Sequence, residues 1–152
     1  MCLSSGCGGG SGGDSPRLLV SLTSSQTKYQ RGERILFTLS LTNGSSQPLS
    51  YSLSGGKGPG IEVRPEGSAT VVFGDELVCA TEGCSSIAPV ESGKSTSIEV
   101  RWGQEDFTAG LCNGSPCKVV PGRYVVSARV TQVTGASETV IPSNRVTIEI
   151  QP

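Results

Sequence analysis

Six cysteines carry most of the chemical potential of this 152-residue chain, and they fall into three pairs of identical spacing. Cys2 and Cys7, Cys79 and Cys84, and Cys112 and Cys117 each enclose four residues. The pairs within "CATEGC" and "CNGSPC" admit three chemistries. Four thiolates could hold a tetrahedral zinc ion, but a whole strand separates the two pairs and neither forms a compact knuckle. A redox centre wants two cysteines at a helix N-terminus, where one thiol pKa is depressed. Here the spacing is wider and no helix is predicted. The third chemistry is structural: glycine and proline inside the loops let the chain reverse and bring the two Cα atoms within disulfide range. We expect bridges Cys79–Cys84 and Cys112–Cys117, with crossed pairing between the loops as the alternative, and neither a metal nor a cofactor.

Catalytic groups are scarce. The chain has no histidine, which removes the usual general base, the Ser-His and Cys-His nucleophile pairs and the commonest zinc ligand. Glu105 and Asp106 form a carboxylate pair of the kind that can serve acid–base chemistry, yet adjacent loop carboxylates are ordinarily just solvated. "GGKGPG" opens no helix, and "SGKS" at Ser92–Ser95 lacks the first glycine of a phosphate loop. The three aspartates, Asp14, Asp75 and Asp106, are too scattered for a calcium loop. With 12 Lys+Arg against 13 Asp+Glu, no basic stretch exists to neutralise a phosphate backbone. The reading is a non-enzyme that binds no nucleic acid.

The elements that must position these residues are strands. From Arg17 onward the apolar pattern has period two. "ILFTLSLT" places Ile35, Phe37, Leu39 and Leu41 on one face, and "LSYSLS" does so with Leu49, Tyr51 and Leu53. "IEVR", "ATVVF" (69–73), "STSIEVRW", "GRYVVSARV" and "NRVTIEI" continue the pattern, and an early strand lies in "RLLVSLTSS". Between the first two, Asn43-Gly44 suits a tight reversal through its tolerance of positive φ. About eight strands punctuated every 8–15 residues predict an all-β fold, an antiparallel immunoglobulin-like β-sandwich. Trp102, Tyr124, Phe37, Phe73 and Tyr51 fall on inward faces, leaving Tyr29 and Phe107 as surface contacts. The longest irregular stretches, 76–89 and 103–121, each carry one cysteine pair. Such loops are where function usually sits.

The domain is expected to span residues 17–152, behind a flexible Gly/Ser tether at 1–16. "LSSGC" before a Gly/Ser run has the look of a bacterial lipoprotein cleavage region, which makes Cys2 or Cys7 the lipidation candidate. Leu3 stands one position too far from Cys7 for a regular lipobox. Paired cysteines and such a tail both point outside the cytoplasm, to the envelope, periplasm or medium, with membrane contact only through the lipid.

Several stretches resemble a known family. "YQRGERILFTLSLTNGSSQPLSYSLSGGKGPGIEVRPEGSATVVF" looks like the opening half of the bacterial BsuPI-type proteinase inhibitor domain, where a Gly-Glu turn leads into an alternating strand ending in Asn. "APVESGKSTSIEVRW" and "VVPGRYVVSARV" are similar to its later turn and its Pro-Gly-x-Tyr strand, so the likeness covers residues 18–150. The resemblance implies an Ig-like fold and a protein partner, a protease among the candidates. Departures are the stapled loops, the "ESGKS" turn without its Pro-Gly pair, and an exported character where prototype members are intracellular. No inhibitory residue transfers position by position. A stapled loop at 103–121 would meet the ordering cost of an extended inhibitory segment before binding, with Leu111, Asn113 and Lys118 as contacts. The alternative is an adhesion or structural envelope module that binds protein or glycan.

Overall fold

A computed structural model of the chain describes residues 16–53, 59–76 and 87–152. Among them are thirteen strands and no helix. One sheet has three strands in the order β1 (Leu19–Ser24), β3 (Ile35–Thr42), β8 (Ser95–Trp102), all antiparallel. The second is built around the long β11 (Gly122–Thr134). On one side of β11 lie β12 (Ser137–Pro142) and β13 (Val146–Gln151), in line with each other and interrupted at 143–145. On its other side lie β4 (Leu49–Ser52) and β5 (Gly60–Pro65), again in line. Outside these come β7 (Ile87–Val90) on β4 and β6 (Phe73–Glu76) on β5. The short β2 (Lys28–Gln30) joins β13, and this contact is parallel. The second sheet is therefore five strand paths, three of them broken in two. The eight strands expected from the alternation correspond to β1, β3, β4, β5, β6, β8, β11 and β13, and the short β2, β7 and β12 are additional. The remaining pair, β9 (Glu105–Cys112) and β10 (Ser115–Lys118), forms a separate antiparallel hairpin.

The alternation is what makes the sandwich. In β3, Ile35, Phe37, Leu39 and Leu41 are at most 2% exposed while their neighbours are half-buried. They face Val63, Tyr124, Val126 and Ile148 from the other sheet, and Phe37, Val100 and Val126 share one interior with them. Burying each such side chain stabilises by about 1.5–3 kcal/mol, so a one-residue slip in register would invert the whole gain.

Side-chain amides fasten the connections. Gln132 takes the Leu18 N–H at 2.8 Å and donates to the Pro16 carbonyl at 2.9 Å, so the first described residues are tied to β11. Positions 1–15, including Cys2 and Cys7, lie outside the described residues. Asn144 accepts from Leu22 N at 2.7 Å and donates to Leu22 O at 3.0 Å, which satisfies one residue of the β1 edge as a neighbouring strand would.

Four expectations about local structure are corrected. Asn43 is fully buried and does not use positive φ. Its amide donates to Gln47 O and Val90 O and accepts from Ser45, tying the β3–β4 turn to the end of β7. The strand placed at 69–73 begins only at Phe73. Tyr29, expected at the surface, is 1% exposed, and its hydroxyl accepts from Gln26 N at 2.8 Å. A three-residue strand is too short for alternation to report its inward position. Finally, the irregular stretch 103–121 is the β9–β10 hairpin. The Cys79–Cys84 pair falls outside the described residues, between Glu76 and Ile87.

Candidate functional site

The β9–β10 hairpin stands apart from both sheets and carries two of the six large apolar side chains exposed among the described residues, Phe107 at 60% and Leu111 at 72%. Its tip is Asn113-Gly114, with φ of 55° and 83°. Positive φ at both central residues makes a tight two-residue turn whose twist matches the flanking strands, and Asn-Gly is its preferred sequence. Cys112 faces Ser115 beside the turn. The Cys112–Cys117 disulfide is present, with Cα atoms 4.9 Å apart.

Below the tip the register breaks. Leu111 pairs with Pro116, but the next partner of β10, Cys117, faces Asp106. Four residues, 107–110, thus bulge from β9 without a partner opposite. Asp106 organises the start of the bulge: its Oδ1 accepts from Thr108 N, Thr108 Oγ1 and Ala109 N at 2.8, 2.6 and 3.2 Å. Phe107, the first bulge residue, donates its N–H to Val72 O at 3.0 Å. Its ring lies 5.9 Å from Phe73, which stacks on Trp102 at 5.7 Å, which meets Tyr124 edge-on at 6.0 Å. This aromatic chain runs from the core to the surface, and Phe107 is its outer end.

The hairpin root is fixed by polar groups. Gln104 is fully buried at φ 64°. Its amide accepts from Gly32 N at 2.7 Å and donates to Gln30 O and Glu33 O at 2.8 and 2.9 Å, while Val119 N donates to its backbone carbonyl at 2.8 Å. The hairpin is thereby bonded to the β2–β3 turn. Trp102 Nε1 donates to Glu105 O at 3.0 Å. Lys118 Nζ bonds Glu105 Oε1 at 2.6 Å and the Gly103 carbonyl. A Cβ at position 103 would come within 2.5 Å of the Glu105 carboxylate, so a side chain there would have to turn that carboxylate away from its present place beside Lys118. Burial alone would raise the Glu105 pKa, but the hydrogen bonds from Lys118 and the backbone outweigh it and hold the carboxyl below its usual value. Tyr124, whose hydroxyl donates to Val120 O at 2.6 Å, has its pKa pushed up by burial and by the Asp106 charge.

Of the expected contacts, Leu111 and Asn113 stand at the exposed tip, but Lys118 does not: its ammonium is spent on the root. Glu105 and Asp106, the adjacent carboxylates, are both engaged in hairpin hydrogen bonds. Gln104 had no signal in the sequence beyond its place after Trp102-Gly103. Among the described residues no group of three or more His, Cys, Asp and Glu is placed to hold a metal.

No protein-family model and no curated protein matches the chain. Solved structures do. The sporulation control protein Spo0M from Bacillus subtilis is similar with a TM-score of 0.53 at 9% identity, over 89% of this chain and 49% of that one. Alpha-2-macroglobulin from Escherichia coli, spanning domain MG7 to the C-terminus, gives 0.52 at 14% identity, over 90% and 17%. A β-glucosidase from Erythrobacter marinus gives 0.52 at 14% identity, over 90% and 16%. The chain thus spans under a fifth of the β-glucosidase and of the macroglobulin fragment, and about half of Spo0M. At these identities the likeness shows the fold alone: an all-β, immunoglobulin-like sandwich.

Proposed function

We propose that this protein is an exported, non-catalytic binding domain that presents its stapled hairpin to a protein partner. In this reading residues 1–16 tether it to the cell envelope, with a lipid on Cys2 or Cys7. The observation that carries the proposal is the hairpin itself. Phe107 and Leu111 are held outward on a projection that is bonded at its root, packed at its bulge and bridged near its tip. Exposed apolar side chains on a preorganised projection are what a partner's recess can take up with little ordering cost. The bridge supports an oxidising compartment. The BsuPI-like stretches support a protease as partner. The closed Asn-Gly turn then favours a knob seated in a recess over a substrate-like strand laid through an active site.

Photo-crosslinking in the source cells tests this. A crosslinker at position 111 should give a discrete protein adduct that is lost on Phe107→Ser, whereas one at the equally exposed Leu19 on β1 should not. No adduct from position 111, or the same adducts from both positions, refutes the proposal. A serine-protease panel separates the two kinds of partner: saturable inhibition without cleavage identifies an inhibitor, and its absence alongside a discrete adduct identifies an adhesion or structural module.

A further inference from the structure

The tripeptide Asn-Gly-Ser occurs twice in the chain, at 43–45 and at 113–115. Asparagine before glycine is prone to attack by the following backbone nitrogen on its own side chain, because glycine has no side chain to shield that nitrogen or to stiffen the chain around it. The shared sequence gives the two sites similar intrinsic reactivity. Any large difference between them must come from the fold.

The fold treats them oppositely. Asn43 is fully buried, and both ends of its amide are held. Nδ2 donates to Gln47 O and Val90 O, each at 2.8 Å, while Oδ1 accepts from Ser45 N at 2.9 Å and from Ser45 Oγ at 2.7 Å. Its Cγ cannot turn toward Gly44 N unless these bonds break. Asn113 is exposed at the hairpin tip, and its side chain makes no hydrogen bond among the described residues. In a two-residue turn the ladder bonds belong to the flanking residues, here Cys112 and Ser115, so the Gly114 N–H stands outside the ladder. A Cβ placed on Gly114 would meet nothing within 4 Å, so the tip is open around the attacking residue.

We propose that Asn113 is a site of spontaneous, one-way modification. The Gly114 nitrogen attacks Asn113 Cγ and gives up its proton. The new N–Cγ bond closes an imide ring as the Cγ–Nδ2 bond breaks, and Nδ2 leaves as ammonia with that proton. Water then opens the ring at either carbonyl, leaving aspartate or isoaspartate at position 113. The product places a negative charge at the tip, and isoaspartate adds a backbone atom to a turn whose length sets the register. The Cys112–Cys117 bridge spans the altered segment and keeps the two strands joined. The consequence for binding rests on the hairpin reading above: a partner's recess that takes up Phe107 and Leu111 would have to desolvate the new charge, so modification ends binding.

The test is peptide mapping by mass spectrometry of the full chain, aged in heavy-oxygen water at mildly alkaline pH with its bridge intact, which labels each site as it hydrolyses. A parallel sample is reduced and held in urea. Unfolded, the two sites should react at similar rates. Folded, position 113 should react faster than position 43 by more than about tenfold, since reaction at 43 requires four hydrogen bonds to break where water does not reach. Asn113→Gln, whose longer side chain closes a less favourable ring, should leave the tip unlabelled. The proposal is overturned if position 113 stays unlabelled in the folded chain while the unfolded chain reacts, or if position 43 keeps pace with it. Ion exchange separates aged from parent protein by the added charge, and photo-crosslinking from position 111 then reads the consequence. An adduct from the parent form alone supports the switch, and equal adducts from both forms refute it. No adduct from either form refutes the hairpin reading, while the labelling at position 113 stands.

Discussion

Replacing Gln104 separates two properties that this residue combines: a fully buried amide and a left-handed backbone. Gln104→Ala deletes three side-chain hydrogen bonds, those with Gly32 N, Gln30 O and Glu33 O. Each contributes about 0.5–1.5 kcal/mol, and the exposed turn lets water recover part of the loss, so a total near 2–3 kcal/mol is expected. Alanine keeps the strain of φ 64°, whereas glycine removes about 1 kcal/mol of it. Gln104→Gly should therefore lose less than Gln104→Ala, by about 1 kcal/mol, reversing the usual order for these two residues. Urea unfolding followed by Trp102 fluorescence measures both values. Hydrogen exchange at Gly32 N should accelerate in each variant, because its acceptor is gone. An alanine variant within about 0.5 kcal/mol of the parent would show that the amide is not a clamp. Equal losses for alanine and glycine would show that the backbone there is unstrained.

Two further predictions concern the hairpin. Cys112→Ser/Cys117→Ser opens a ring of sequence separation 5, which the loop-entropy relation values at about 2 kcal/mol. Limited proteolysis should then cut first within 107–116, and equal protease resistance of parent and variant would refute a constraining role. Glu105 has a folded pKa below its unfolded value near 4.3, so its contribution is present above that pH and is lost as pH falls through the folded value. Since Lys118 is 41% exposed, the effect should stay below about 1 kcal/mol. The stability gap between parent and Glu105→Gln should be open at pH 7 and closed in strong acid; a gap that is constant across that range would contradict the ion pair.

The sandwich was legible because burial on one face leaves a period-two signature in every long strand. Phe37, Val100 and Val126 could each be placed inside from their neighbours alone. The same signature was silent at Tyr29, whose strand has three residues, and at 103–121. There β9 shows no alternation, because the hairpin has no core face: six of its eight residues are exposed. The cysteine spacing reported the local bridge at 112–117, since a ring that small needs only a turn. It could not report the bulge, which follows from a register shift between two strands. The amides of Gln104, Gln132 and Asn144 were illegible for another reason. Each serves backbone groups 71 to 122 residues away in sequence, so no local pattern marks them.

The position of the bridge follows from where the hairpin would otherwise be loose. Its root needs no staple, because Gln104 and Trp102 already bond it to the body and Lys118 ties its two strands together. Its tip needs little, because Asn113-Gly114 is a favourable turn. The weak point is the four-residue bulge, with nothing opposite it to hold the strands in register. Cys117 faces Asp106 at the start of the bulge, and Cys112 lies just beyond its end. A bond between them therefore closes the mouth of the bulge and turns what would be a ten-residue loop, 107–116, into a turn and a short excursion. Because loop entropy grows only slowly with length, the global gain is modest. The local gain is larger, since Phe107 opens the bulge and Leu111 immediately follows it, and their separation is what the bridge fixes. A partner that recognises both side chains together would feel reduction of this bond as a loss of affinity well before the domain itself unfolds.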